Sequence, residues 1–307
     1  MSEQTDREPT PEVATVTVLG AGTMGAGIAH VAALGGYATR LFDAFPEALE
    51  RAGATIERNL AKGVERGKVA AADAATARGR LSRERELEPA LAGADLVIEA
   101  VPEEMALKVE LFGRADELAP AHCLFASNTS ALSITEMAAA SGRPERFAGM
   151  HFFNPVHVMR LVELVRGLET PEPVLDALAA VAGRMDKQVV RVNESPGFVT
   201  SRINALIGNE AFRMLETGVA SAQDIDTALK LGLNHPMGPF EMVDLVGLDV
   251  RLAILRHLHR TLGESYRPSN LLEQHVQAGR LGRKVGRGVY DYDAEGNRLR
   301  RSRAASV

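Results

Sequence analysis

The stretch from Val13 to His30 reads VATVTVLGAGTMGAGIAH, and its glycines constrain the fold more than any other feature of the chain. Val16, Val18 and Leu19 belong to a short apolar run, the pattern of a strand buried on both faces. The run ends in Gly20-Ala21-Gly22-Thr23-Met24-Gly25, and an Ala-, Gly- and Ile-containing helical segment follows. G-x-G-x-x-G is informative only between a strand and a helix, which is its setting here. Gly20 permits a tight turn, Gly22 leaves room for a pyrophosphate, and Gly25 lets the helix pack close to the sheet. The helix start then presents its N–H groups and positive dipole end to the phosphates. All six residues, Gly20 to Gly25, are therefore expected at a dinucleotide.

A second strand is expected over Tyr37 to Phe42 (YATRLF), and Asp43 ends it at the spacing where an acid binds the adenosine ribose hydroxyls. A helix-capping Asp after a buried strand is the plainer reading of that residue. No arginine follows at Ala44 or Phe45 to clamp a 2′-phosphate, so NAD is favoured over NADP.

The 307 residues suffice for two domains. A net charge of -5 argues against non-specific nucleic-acid binding but leaves open an anionic small molecule, which needs only a local basic patch. The single cysteine, Cys123, excludes an internal disulfide framework and a cysteine-rich metal site, and no metal is expected. It lies in an apolar run and reads as a buried small hydrophobe. No stretch approaches a membrane-spanning run, and the N-terminus lacks the order of a signal peptide, so a cytoplasmic protein is expected. Residues 1–12 read as a disordered, polar lead-in and residues 296–307 as a solvated basic tail.

Pro46 suits the first turn of a helix from Glu47 to Gly67. On it Arg58, Lys62 and Arg66 share one face, with Lys68 just beyond its end. Most such stripes are merely solvated; beside a nucleotide fold this one could meet the phosphates of a large anionic substrate. Asp95 to Val101 is a strand, Met105 to Leu118 a helix, and Cys123 to Ala126 the next strand. Ser127-Asn128-Thr129-Ser130 lies at that strand's carboxyl end, where open parallel sheets bind ligands; a capped turn before a helix near Ile134 explains it equally. Arg146 to Met150 is a short strand delivering His151-Phe152-Phe153-Asn154-Pro155. Arg160 to Val165 alternates, with Leu161, Glu163 and Val165 on one face, and a carboxylate between apolar neighbours is costly unless paired. A helix over Pro173 to Gly183 and a strand over Lys187 to Val192 complete this half.

After Asn193 long β runs cease. Helices are expected over Gly197 to Thr217, Ser221 to Leu231, Pro239 to Thr261 and Asn270 to Ala278. The fold class is thus α/β, a Rossmann-like NAD-binding domain over residues 13–193 with a mostly parallel sheet, followed by an all-α domain over residues 194–295.

The segments GAGTMGAGIA, VPEEMALKVELF, FASNTSALSIT, HFFNPVHVMRLVELV, SPGFVTSRI, ALKLGLNHPMGPFEMVDLVGLD and LGRKVGRGVYDY together resemble the L-3-hydroxyacyl-CoA dehydrogenases, in their single-function bacterial 3-hydroxybutyryl-CoA form. The resemblance covers nearly everything from Val13 to Tyr292. It implies NAD-dependent, reversible oxidation of short-chain (S)-3-hydroxyacyl-CoA to 3-oxoacyl-CoA. It also implies His151 as the base, Glu163 as the carboxylate orienting it, and Ser130 on the substrate oxygen beside the nicotinamide. Glu103, Lys108 and Asn154 are then expected at the cofactor. Lys284 is a further candidate there, an exposed turn lysine being its equal alternative. Lys62, Arg66 and Lys68 gain weight as a site for the CoA phosphates. Many relatives carry Asn where SPGFVTSR has Ser201, so Ser201 can supply one hydrogen bond to the substrate carbonyl but is shorter than an amide. A homodimer through the helical half is implied as well. The alternatives are a dehydrogenase of a free hydroxy acid or sugar acid, which would use the same base and cofactor, and a non-catalytic NAD-sensing protein, in which His151 and Glu163 would be idle.

Overall fold

The computed structural model describes residues 11–299. Most of the predicted lead-in, and the basic tail from residue 300 onward, lie outside the described residues. The chain forms two compact units, one ending at Phe198 and one beginning at Val199.

The first unit opens with β1 (Thr15–Leu19), α1 (Thr23–Leu34) and β2 (Ala38–Phe42). Next come α2 (Pro46–Glu65), α3 (Ala71–Arg80), β3 (Leu81–Glu84), α4 (Leu87–Leu91) and β4 (Leu96–Glu99). It continues through α5 (Met105–Leu118), β5 (Leu124–Ser127), α6 (Ile134–Ala140), β6 (Phe147–Phe152), β7 (Leu161–Arg166), α7 (Glu172–Arg184) and β8 (Gln188–Asn193). The strands form one sheet in the order β3-β2-β1-β4-β5-β6-β7-β8. Every pairing is parallel except β6 with β7. Strand order reverses at β1, which pairs with both β2 and β4, and that switch point is where such sheets open a crevice.

Period-two alternation sorts the strand side chains into two cores. Val16, Val18, Leu96, Ile98, Leu124 and Ala126 pack with α1, α2 and α7 on one face. Leu19, Val97 and Phe125 pack with α4, α5 and α6 on the other. In that second core the Phe112 ring meets Phe147 edge-on at 4.6 Å and Phe125 at 5.7 Å. Covered on both faces, β7 is buried from Val162 to Val165. The alternation read into it therefore sorts side chains between two buried layers and does not separate core from solvent.

α3 and β3 are not among the elements expected from the sequence. Neither carries a strong apolar pattern: α3 buries only Ala74 and Ala77, and β3 is an edge strand without a buried residue.

The second unit holds α8 (Thr200–Glu216), α9 (Ala222–Gly232), α10 (Pro239–Val246), α11 (Leu248–Leu262) and α12 (Asn270–Gln277). The single helix expected over Pro239 to Thr261 is broken at Gly247, whose φ of 106° belongs to a turn and not to a helix. Two buried aspartates pin the C-terminal segment to these helices. Asp226 accepts from the Phe240 N–H and the Tyr290 hydroxyl at 2.8 and 2.7 Å. Asp244 accepts from the N–H groups of Val289 and Tyr290 and from the Tyr292 hydroxyl, at 2.8 to 2.9 Å. Among the described residues no helix is long and apolar enough to cross a membrane.

Candidate active site

In the first unit, the carboxyl ends of β1, β4, β5 and β6 share one edge of the sheet because these strands run parallel. The antiparallel β7 brings its first residues to the same edge. His151, the penultimate residue of β6, stands directly opposite Glu163 in this register. Side chains of directly opposed residues share a face, so strand pairing alone brings the two together. His151 Nδ1 lies 2.8 Å from Glu163 Oε2, with the side chains 7% and 1% exposed. An ionised carboxylate can only accept, so with Glu163 ionised Nδ1 would donate to it, and in a neutral imidazole Nε2 would then be the acceptor. Phe153 and Phe198 flank the imidazole at centroid distances of 4.4 and 5.9 Å. Asn128 Oδ1 accepts the Phe152 N–H at 2.9 Å and so ties the turn after β5 to the end of β6.

At the switch point, the glycine loop is fixed by close approach. A Cβ on Gly20, whose φ is 102°, would lie 2.8 Å from the Ala100 carbonyl oxygen, and one on Gly25 would lie 1.7 Å from the Gly20 oxygen. Gly22 differs, since a Cβ there would meet no protein atom within 4 Å. Protein packing therefore explains two of the three glycines, and the open space at Gly22 fits a cofactor pyrophosphate lying against the backbone. Asp43 Oδ2 accepts the Ala21 N–H at 2.7 Å and Oδ1 the Phe45 N–H at 2.9 Å. The acid thus braces the loop, and with about four lone-pair sites per carboxylate it keeps acceptor capacity for a ribose. Thr23 is exposed and Met24 half-buried at the start of α1.

Beyond the glycines, the segment after β4 and the turn after β5 are linked. Glu103 Oε1 accepts from the Thr129 hydroxyl at 2.6 Å and from the Ser130 N–H at 2.9 Å. Lys108 is 1% exposed, with its ammonium between Glu99 at 2.6 Å and Glu103 at 3.3 Å. Ser127, the last residue of β5, belongs to the polar run expected at the ligand edge, whereas Glu99, the last residue of β4, was not singled out in the sequence. The signal was present, because Glu99 is an acid inside the apolar run DLVIEAV. Asn154 is exposed in the segment leaving β6. Lys62 in α2, and Arg66 and Lys68 just after it, are exposed. Burial, then the charges of Lys187 and Lys68, hold the His157 pKa below its usual range, which places Lys68 near the segment that follows Asn154.

Ser201, in the first turn of α8, and Lys284 belong to the second unit. The Lys284 ammonium pairs with both carboxylate oxygens of Asp249, at 2.7 and 2.6 Å.

Comparison with known proteins decides the family. Residues 15–195 match the model described as 3-hydroxyacyl-CoA dehydrogenase, NAD binding domain, and residues 197–292 match that family's C-terminal domain. The chain belongs to the 3-hydroxyacyl-CoA dehydrogenase family. A Bacillus subtilis relative named probable 3-hydroxybutyryl-CoA dehydrogenase is 47% identical over 92% of this chain and 98% of its own. The crystal structure of an (S)-3-hydroxybutyryl-CoA dehydrogenase from Ralstonia eutropha superposes with a TM-score of 0.88 at 42% identity, over 92% of this chain and 100% of that one. An Escherichia coli relative named 3-hydroxyadipyl-CoA dehydrogenase is 44% identical over 92% of this chain and 60% of its own. The chain is accordingly an NAD-dependent oxidoreductase of this family, built as a Rossmann domain followed by a helical one.

Proposed function

We propose that this 3-hydroxyacyl-CoA dehydrogenase interconverts short-chain (S)-3-hydroxyacyl-CoA, 3-hydroxybutyryl-CoA foremost, and the corresponding 3-oxoacyl-CoA, with His151 as the base. The observation that carries this reading is the buried contact of 2.8 Å between His151 Nδ1 and Glu163 at the ligand edge of the sheet. Bound NAD+ supplies the hydride acceptor. Nε2 of His151 takes the proton of the substrate hydroxyl, and Glu163 holds the imidazole in the tautomer that can do so. As the imidazole gains its proton, the adjacent carboxylate turns the pair into a compensated ion pair where an isolated buried cation would be costly. The Ser130 hydroxyl holds the substrate oxygen.

Gly20 to Gly25 and Asp43 hold the pyrophosphate and adenosine ribose. Glu103 and Asn154 meet the nicotinamide half, and Lys108 acts there through Glu103. Lys62, Arg66 and Lys68 attract the phosphates of CoA, and the enzyme works in the cytoplasm. The domain boundary falls near Glu194 to Pro196.

Replacing the base tests this reading. His151→Gln should lose on the order of 10²–10⁴-fold in kcat while keeping its affinity for NADH. Turnover near wild type would remove His151 from the mechanism. A steady-state series of C4 to C16 3-hydroxyacyl-CoA substrates, with 3-hydroxyadipyl-CoA and free 3-hydroxybutyrate included, should give its highest kcat/KM at C4.

A further inference from the structure

At the carboxyl ends of β4 and β5 a closed ring of polar side chains surrounds one buried carboxylate. Glu99 is fully buried, and its Oε1 accepts from the Lys108 ammonium at 2.6 Å and from the Val101 N–H at 2.7 Å. Its Oε2 accepts from the Ser127 hydroxyl at 2.6 Å, and that hydroxyl oxygen in turn accepts the Thr129 N–H at 3.2 Å. Thr129 donates its own hydroxyl to Glu103 at 2.6 Å. Lys108, 3.3 Å from the other Glu103 oxygen, closes the circuit.

Burying an ion pair contributes little net stability, because desolvation of both charges offsets their attraction. What the ring does provide is a fixed geometry. Glu103 is the charged member open to solvent, its side chain 44% exposed on a segment outside any helix or strand. A carboxylate so placed would sample several rotamers if nothing held it. Lys108 fixes one of its oxygens, and Thr129 with the Ser130 N–H fixes the other. The lysine is a point charge on a flexible stem, so it can only fix Glu103 if its own position is set. Glu99 sets it, and through Ser127 the same carboxylate also holds the turn that carries Ser130.

We infer that Glu99 is a positioning residue for the reaction, setting through Lys108 and Ser127 where the Glu103 carboxylate and Ser130 stand at the cofactor crevice. The inference rests on the reading of Ser130 and Glu103 given above. It predicts that Glu99 affects turnover per site, beyond any effect on folding, although it touches neither cofactor nor substrate.

Glu99→Gln and Ser127→Ala are the variants to compare with wild type. Active sites are first counted by fluorescence titration with NADH, well below each variant's melting temperature, and kcat is expressed per titrated site. For Glu99→Gln the NADH dissociation constant should rise by about tenfold, and kcat per site should fall on the order of 10²-fold, the scale set by a misplacement of about 1 Å. The KM for the acyl-CoA should change much less than kcat. Ser127→Ala keeps every charge and should show the same pattern several-fold weaker. A purely structural ring would lower the melting temperature while leaving kcat per titrated site and the NADH dissociation constant at wild-type values, and that result overturns the inference. If Glu99→Gln does not fold, Ser127→Ala decides alone, and wild-type kcat and NADH affinity in it would also overturn the inference. Absence of turnover by the wild-type enzyme on 3-hydroxybutyryl-CoA would instead count against the proposed substrate. The NADH affinities of the variants would still test the ring.

Discussion

His30 shows how one side chain can link stability to pH. It is 3% exposed in α1, neither of its ring nitrogens has a hydrogen-bond partner, and it stacks on His157 at 5.6 Å. Burial, then the charges of His157 and Lys187, lower its pKa from 6.5 to about 4. Between those values the unfolded chain binds a proton that the folded chain refuses, so stability is full above pH 6.5 and falls as the pH drops toward 4. The total is about 3 kcal/mol at 1.36 kcal/mol per unit. His30→Gln should flatten this part of the profile, as read by urea unfolding at a series of pH values; a slope equal to wild type would mean that the ring takes up its proton as readily in the folded chain as in the unfolded one. Little of this was legible in the sequence, where His30 is one of eight histidines. His151 and Glu163 were legible, because each sits at a strand position whose environment a sequence can imply. Glu99 offered the same clue as Glu163 but had no nearby histidine to explain it, and its lysine lies on the following helix. Cys123 is buried, as its apolar neighbours implied, and burial pushes its thiol up to about 12.

The unit from β1 through α1 separates glycines needed for packing from glycines needed for a ligand. Gly22→Ala adds a methyl group where no protein atom lies within 4 Å, at an extended φ of -70°. Its melting temperature should therefore match wild type while NAD affinity falls, since the methyl occupies the space a pyrophosphate needs. Gly25→Ala forces a carbon to 1.7 Å from the Gly20 oxygen, so it should disrupt the turn itself and lower stability and cofactor binding together. Calorimetry with and without NADH checks both, and equal losses of stability in the two variants would contradict the distinction. The elements that the sequence revealed share a physical trait, an apolar face with a clear period. Those it concealed lack one: α3 is alanine- and arginine-rich, β3 is a polar edge strand of the kind that resists further pairing, and the break at Gly247 hides inside a continuous amphipathic pattern.

At the scale of the whole molecule, the second unit leaves several large apolar side chains in solvent, among them Leu231 at 82%, Val219 at 67%, Leu233 at 66% and Ile203 at 53%. The resemblance to the family implies a homodimer through this half, which would cover side chains of this kind. Sedimentation equilibrium should return twice the chain mass of 32.9 kDa, and Leu231→Glu with Leu233→Glu should shift the mass toward one chain. A wild-type mass of one chain at micromolar concentration would remove that proposal. The reversal of strand direction between β6 and β7 carries a consequence of its own. Because β7 runs against β6, histidine and acid meet as rungs of one ladder, and no loop has to be folded correctly to bring them together. Insertions between residues 153 and 160 can therefore lengthen the connection without disturbing the pair. A slip of a single residue in the ladder would turn the acid to the opposite layer, leaving the imidazole with no brace inside a sheet that still looks whole.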